Sequence, residues 1–122
     1  MLVAGLAVWF ATGPARRRAK ARHDVAEIQF ALTGYAQLYG SVPTGSPAEI
    51  AAVLLGKDMR EQDPRFAPIL EASGYEMNSL GEFVDPWGTP YRIVPSPTVY
   101  VYSCGPDRID ELGAGDDIAA GL

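Results

Sequence analysis

Five carboxylates lie close together near the C-terminal end of the chain, and they are the residues best suited to chemistry. They are Asp107, Asp110, Glu111, Asp116 and Asp117. Arg108 is the only basic residue among them, so the segment would repel itself. A hard divalent cation, held by carboxylates, a hydroxyl and main-chain carbonyls, would offset that repulsion. The spacing is not that of an EF-hand, and a solvated acidic surface remains the alternative interpretation.

Catalytic arrangements find little support in the sequence. Paired carboxylates can perform acid–base chemistry, but they need an apolar pocket that separates their pKa values, and none is evident around this segment. His23 is the single histidine and Cys104 the single cysteine, so neither a catalytic triad nor a zinc cluster can be assembled. We therefore expect a protein that is not an enzyme.

Charge is distributed unevenly along the chain. Residues 1–49 carry a net charge of +2 and residues 50–122 a net charge of −7. A nucleic-acid-binding domain normally presents a basic face, so the acidic C-terminal part argues against that function. The basic residues form a collar that directly follows an uncharged run, MLVAGLAVWFAT, and such a collar suits lipid head groups. The collar consists of Arg16, Arg17, Arg18, Lys20 and Arg22.

The element that must carry both features is a long N-terminal helix. After the collar, apolar residues recur at steps of three and four, the spacing that places them on one helical face. They are Ala21, Val25, Ile28, Leu32, Tyr35 and Tyr39. Gly40 is expected to end the helix. Pro14 should kink it near the membrane surface, unless a separate helix begins at Ala15.

The uncharged run of twelve residues is shorter than the roughly 20 that a spanning helix needs. We interpret it as the inner part of a membrane segment, with residues expected upstream of Met1; a buried core helix is the alternative. Residues 1–22 would then form a partial transmembrane helix with its collar, and residues 23–122 a globular domain.

The rest of the sequence predicts an α+β fold. Ser46-Pro47-Ala48-Glu49 has the pattern of a capped helix start, and this second helix should end at Gly56. A short turn is expected from Asp63-Pro64 to Gly74. Three segments then have the composition of strands: 82–84, 91–94 and 99–102. A small antiparallel sheet can bury one face against the helix.

Three features in this order resemble a known family. They are the helix ending in YGSVP (39–43), the DPWGTPY motif (85–91), and YSCGPD (102–107) followed by GDDI (115–118). Together they resemble the major pseudopilins of type II secretion systems and, more broadly, the prepilin-type, type IV pilin-like proteins. The resemblance spans nearly the whole chain. DPWGTPY also reads as a structural turn in which Asp85 caps and Gly88 permits an unusual conformation.

The resemblance implies a function in protein export. Such proteins are made with a leader that a prepilin peptidase removes. They sit in the bacterial inner membrane as single-pass proteins, with the globular domain in the periplasm. Subunits assemble into a helical homo-oligomeric filament, the pseudopilus, together with minor pseudopilins and an inner-membrane assembly platform. Two alternatives stay open: a type IV pilus subunit, and a membrane-anchored periplasmic binding domain that does not polymerise.

The resemblance also implies a structural calcium ion in the C-terminal loop, with Asp107, Asp116 and Asp117 as ligands and Ser103 as an addition. One departure affects this assignment, because Arg108 follows Asp107 where the family often has glycine. A second departure is the absence of the proline that the family usually carries inside its apolar half.

Overall fold

The computed structural model describes residues 2–56, 70–95 and 98–120, without the side chains of residues 2–12 and 72. The turn predicted to begin at Asp63-Pro64 lies outside these residues. A long helix α1 (Leu2–Tyr39), a short helix α2 (Pro47–Leu54), a 3-10 turn (Ala72–Gly74) and five short strands follow one another along the chain. The predicted α+β fold is confirmed.

Helix α1 runs without interruption through Pro14, so no separate helix begins at Ala15. It ends where the sequence predicts, because Gly40 takes a φ of +88° that side chains resist. The predicted apolar stripe from Ala21 to Tyr35 is buried, whereas Tyr39 is only partly covered. Among the described residues, no helix has a stretch both long and apolar enough to cross a bilayer.

Helix α2 begins with the predicted capping box. The Ser46 hydroxyl accepts a hydrogen bond from the Glu49 N–H, and the Glu49 carboxylate accepts one from the Ser46 N–H. Pro47 occupies the first turn, where its missing N–H costs nothing. The buried side of α2 joins the core through Ile50 and Leu54.

The strands form two antiparallel sheets. Strand β1 (Glu76–Met77) pairs with β2 (Phe83–Val84), and a three-stranded sheet has the order β3 (Arg92–Val94), β4 (Tyr100–Ser103) and β5 (Ile118–Ala119). The sequence predicts β2, β3 and β4 but not β1 or β5. Those two strands have only two residues each, too few for an alternating pattern to show.

Side chains alternate across β4, and this alternation positions the acidic segment. Val101 joins the core beneath helix α1. Tyr100 and Tyr102 lie on the opposite face, with ring centroids 5.5 Å apart. The Tyr102 hydroxyl donates to Asp110 of the connection between β4 and β5. That connection therefore covers the outer face of the sheet, which gives three layers: helix, sheet and acidic loop.

Candidate metal site in the C-terminal loop

The acidic loop (residues 105–117) leaves β4 and returns as β5, and its two ends touch. Gly105 has a φ of +78°, and a Cβ at this position would lie 2.3 Å from the carbonyl oxygen of Asp116. No other residue type fits so close a backbone approach. Gly105 thus closes the loop and brings carboxylates from its two halves together.

Four carboxylates converge inside the closed loop. Each offers an oxygen atom, and these oxygens all lie within 4.8 Å of one another. The group consists of Asp107, Glu111, Asp116 and Asp117. Three of them were predicted as ligands from the sequence. Glu111 was recognised as part of the acidic segment but not as a ligand, because only the folded loop turns it toward Asp116.

Backbone N–H groups hold the carboxylates in place. Asp117 Oδ2 accepts hydrogen bonds from the N–H of Glu111 at 2.9 Å and of Gly113 at 3.0 Å. Asp107 Oδ1 accepts one from the N–H of Ile109 at 2.9 Å. These bonds fix the direction of the Asp107 and Asp117 carboxylates before any ligand arrives, and such preorganisation favours binding.

Two oxygens of the cluster are buried without a hydrogen-bond partner among the described residues. They are Oδ1 of Asp116 and Oδ1 of Asp117. Buried polar atoms are almost always paired, so two unpaired carboxylate oxygens in one cluster suit a bound cation. Calcium takes 6–8 oxygen ligands in flexible geometries, and the cluster supplies a large share of that number.

The charge state of Glu111 reflects the same crowding. A hydrogen bond with the Asp116 carboxyl raises the pKa of Glu111 above its ordinary value, and burial and the charges of Asp107 and Asp116 raise it further. Without a cation, the crowding therefore makes the charged form of Glu111 less favourable than in the unfolded chain. A divalent cation would favour the charged form instead.

Asp110 differs from the four clustered carboxylates. It accepts hydrogen bonds from the Leu112 N–H at 2.9 Å and from the Tyr102 hydroxyl at 2.8 Å. These bonds, together with the nearby Arg92, lower the pKa of Asp110. The same hydroxyl bond and the burial of Tyr102 raise the pKa of that tyrosine to about 12. Asp110 therefore fastens the loop to the sheet.

Ser103, the predicted addition to the ligand set, makes two hydrogen bonds through its hydroxyl. Its buried hydroxyl donates to Asp85 Oδ2 at 2.7 Å and accepts from the Gly105 N–H at 3.0 Å. These bonds connect the start of the loop to the DPWGTPY turn.

The DPWGTPY turn acts as the predicted structural cap. Asp85 is buried, and its Oδ1 accepts the N–H groups of Trp87 at 3.1 Å and Thr89 at 2.9 Å. The Thr89 hydroxyl in turn accepts a hydrogen bond from Arg108 Nε at 3.1 Å. Two contacts, through Ser103 and Arg108, therefore fix the start of the acidic loop to this turn.

Sequence reasoning missed a second buried carboxylate, Asp24 of α1. It accepts hydrogen bonds from Lys20 Nζ at 2.6 Å and from the Tyr91 hydroxyl at 2.8 Å. Lys20 Nζ also donates to the Gly74 carbonyl at 2.7 Å. A signal was available, because position 24 lies on the same helical face as Ala21 and Ile28.

No protein-family model, curated protein or solved structure matches the chain significantly.

Proposed function

We propose that this chain is a structural subunit of a type II secretion pseudopilus and assembles into a filament through its N-terminal helix. One observation carries the proposal. Helix α1 has 38 residues, about 57 Å at 1.5 Å per residue, yet its buried stripe begins only at Ala21. Every residue from Pro14 to Lys20 is exposed. The collar on α1 is therefore exposed, and we place the apolar run that precedes it in contact with lipid and neighbouring subunits.

The apolar composition of the run before Gly13 suits that role. In water an uncovered apolar helix is unfavourable, whereas lipid and neighbouring helices both remove it from solvent. The proposed location is the bacterial inner membrane, with the globular domain in the periplasm. Minor pseudopilins, the assembly platform and the prepilin peptidase are the partners that this proposal implies.

The packing of the globular domain on α1 supports the proposal. Strands β4 and β5 pack directly on the half of α1 that follows the collar. Hydrogen bonds also hold the helix where it leaves the domain, from Lys20 and Tyr91 to Asp24. A subunit built in this way can hold its helix at one fixed angle, as a regular filament requires.

We further propose that the acidic loop binds a structural calcium ion through Asp107, Glu111, Asp116 and Asp117. The convergence of these carboxylates and the two unpaired buried oxygens support this site. Isothermal calorimetry with calcium on the globular domain tests it. We expect heat of binding and a raised melting temperature; the absence of both would reject the site.

Cross-linking of the full-length precursor tests the filament proposal. Ala7→Cys, in a Cys104→Ala background, should give oligomers under oxidising conditions in membranes that contain the assembly machinery. Gln37→Cys is the matched control, since residue 37 is exposed on the part of α1 covered by the domain. If only monomers are found, the membrane-anchored periplasmic binding domain becomes the better interpretation. If the chain assembles but deletion of its gene leaves protein secretion unchanged, the result would favour a type IV pilus subunit.

A further inference from the structure

A groove with a basic wall lies where helix α1 leaves the domain. Arg16, Arg17 and Lys20 line it, together with Gly13 and Pro86 of the DPWGTPY turn, and its volume is about 470 Å³. The metal site and the buried stripe do not use it. Its wall combines guanidinium groups with the apolar surface of the proline ring and the aliphatic parts of the long basic side chains.

Within the part of the chain that the structure describes, the arginines of this groove form no ion pair. Among the described residues, Lys20 pairs with Asp24, His23 with Glu27, and Arg92 with Asp110. No carboxylate of the described residues pairs with Arg16 or Arg17. Their charge is therefore available to another molecule.

Helical geometry divides the collar into two faces. Residues advance by about 100° each, so Arg16, Arg17 and Lys20 share one side of α1. Arg18 and Arg22 lie one helical turn apart on the other side and do not line the groove. Each face carries two arginines without an ion pair among the described residues, and the face with Arg16 and Arg17 lines the groove.

The acidic loop has the complementary surface. Besides its carboxylates, it exposes Ile109 at 60% and Leu112 at 83%. Leu112 adopts a φ of 59°, a conformation unusual for leucine. Within its own chain the loop is held on the outer face of the sheet by the Tyr102–Asp110 hydrogen bond.

We propose that the acidic loop of a second copy of this chain docks in the groove of the first. Asp110, the loop carboxylate outside the calcium cluster, would face Arg16 and Arg17, and Leu112 would rest against Pro86. The inference deepens the proposed filament function and rests on it. Because the two surfaces are different parts of the molecule, the contact is heterologous, and repeated contacts of this kind generate an open helical filament.

Anionic lipid head groups are a second occupant that arginines could attract. The concave shape of the groove and the apolar residues at the tip of the loop favour the protein occupant. Lipid would not distinguish the two faces of the collar by shape. The two faces therefore provide a matched comparison.

The experiment reverses the same charge on each face of the full-length chain. Arg16→Glu with Arg17→Glu alters the groove, and Arg18→Glu with Arg22→Glu makes the same charge change outside it. We expect the groove variant to reduce filament yield about tenfold or more and the control to reduce it far less, because only the groove pairs are desolvated by the loop. Melting temperatures of both variants show whether folding is retained.

Disulfide trapping then identifies the occupant. In a Cys104→Ala background, Arg17→Cys with Leu112→Cys should give intermolecular cross-links, whereas Arg18→Cys with Leu112→Cys should give few. Equal loss of assembly for both charge variants, or loss of binding to phosphatidylglycerol vesicles without any cross-link, would overturn the proposed contact. Filaments unaffected by the groove variant would overturn the contact alone, while a full-length chain that never assembles would overturn the filament function as well.

Discussion

Asp85 in the DPWGTPY turn and the aspartates of the acidic loop show how differently one residue type is used in this fold. In the DPWGTPY turn, both oxygens of Asp85 accept hydrogen bonds, from two backbone N–H groups and from Ser103. In the acidic loop, one oxygen of Asp116 and one of Asp117 are buried without a partner among the described residues. The first group is complete by itself, and the second has capacity left for a ligand.

This difference separates structure from binding. A buried carboxylate whose hydrogen bonds are complete stabilises the fold, and its removal leaves donors unpaired. A carboxylate turned toward other carboxylates weakens the isolated fold and gains its partner from solution. Substitutions in the two regions should therefore have opposite effects, and each of the following measurements tests that contrast.

The largest effect is expected at Asp85. Asp85→Ala should lower the free energy of unfolding by about 3 kcal/mol or more, because three donors lose their acceptor in or near the core. Asp85→Asn retains one acceptor oxygen and should cost about 1–2 kcal/mol. Urea unfolding of the globular domain measures both changes. Asp107→Ala is the comparison in the loop, and without calcium it should not destabilise; a similar loss there would contradict the contrast.

Asp24 should give the next largest effect. Asp24→Ala removes the acceptor for Tyr91 and Lys20 and should cost about 2–3 kcal/mol, since Tyr91 is buried while Lys20 still reaches water. Tyr91→Phe leaves Asp24 with one bond fewer and should cost about 1–2 kcal/mol. A double-mutant cycle measured by urea unfolding should show coupling of about 1 kcal/mol. Strict additivity would mean that the observed hydrogen bond contributes nothing.

The sequence predicts the helical and capped parts of this fold well. The stripe from Ala21 to Tyr35, the stop at Gly40 and the capping box at Ser46 all depend on neighbours close in the chain. Local periodicity and capping chemistry are therefore enough to find them. The same argument would have found Asp24, which lies on the buried face of α1.

The site is only partly predictable for the opposite reason. The acidic composition of residues 107–117 marks the region, but membership of the cluster depends on how Gly105 and Asp116 close the loop. That closure turns Glu111 inward and draws Ser103 toward Asp85, which is distant in sequence. Spacing alone carries no information on such contacts. The short strands β1 and β5 are not predicted for the same reason, because their pairing is fixed by tertiary structure.

Calcium binding should respond strongly to Asp117, a clustered carboxylate with one buried oxygen that has no partner among the described residues. Asp117→Asn retains an acceptor for the N–H groups of Glu111 and Gly113 but loses the charge. We expect calcium affinity to fall by about tenfold or more. Asp110→Asn is the matched control in the same loop, since Asp110 is not among the clustered carboxylates. Calorimetric titration with calcium decides, and equal losses for both variants would argue against the assigned ligands.

The pH dependence of stability should reveal the raised pKa of Glu111. The pKa of Glu111 is raised in the folded chain above its ordinary value of 4.5, so the folded state binds this proton more tightly than the unfolded state. The resulting stabilisation is complete below the unfolded pKa and is lost as pH rises through the folded pKa. Between pH 5 and pH 7 without calcium, the melting temperature of the natural chain should therefore rise less than that of the Glu111→Gln variant.

Glu111→Gln carries its neutral side chain at every pH and removes this proton from the comparison. With saturating calcium the order should reverse, because the natural chain then gains a ligand that the variant lacks. Melting curves at both pH values, with and without calcium, give all four comparisons. Identical pH profiles for the two proteins would show that the pKa of Glu111 is not raised by folding.

The smallest effect is expected at Leu112, where stability and assembly should separate. Leucine resists the positive φ that this position adopts, whereas asparagine tolerates it, and Leu112 is too exposed to lose much burial. Leu112→Asn should therefore stabilise the globular domain by up to about 1 kcal/mol. The same change should weaken filament assembly, because the proposed docking places Leu112 against Pro86 of a neighbour. Leu80→Asn is the matched control, since Leu80 is also exposed but lies outside the loop. If Leu112→Asn stabilises the domain and assembly stays normal, Leu112 neither stabilises the fold nor contributes to the proposed contact.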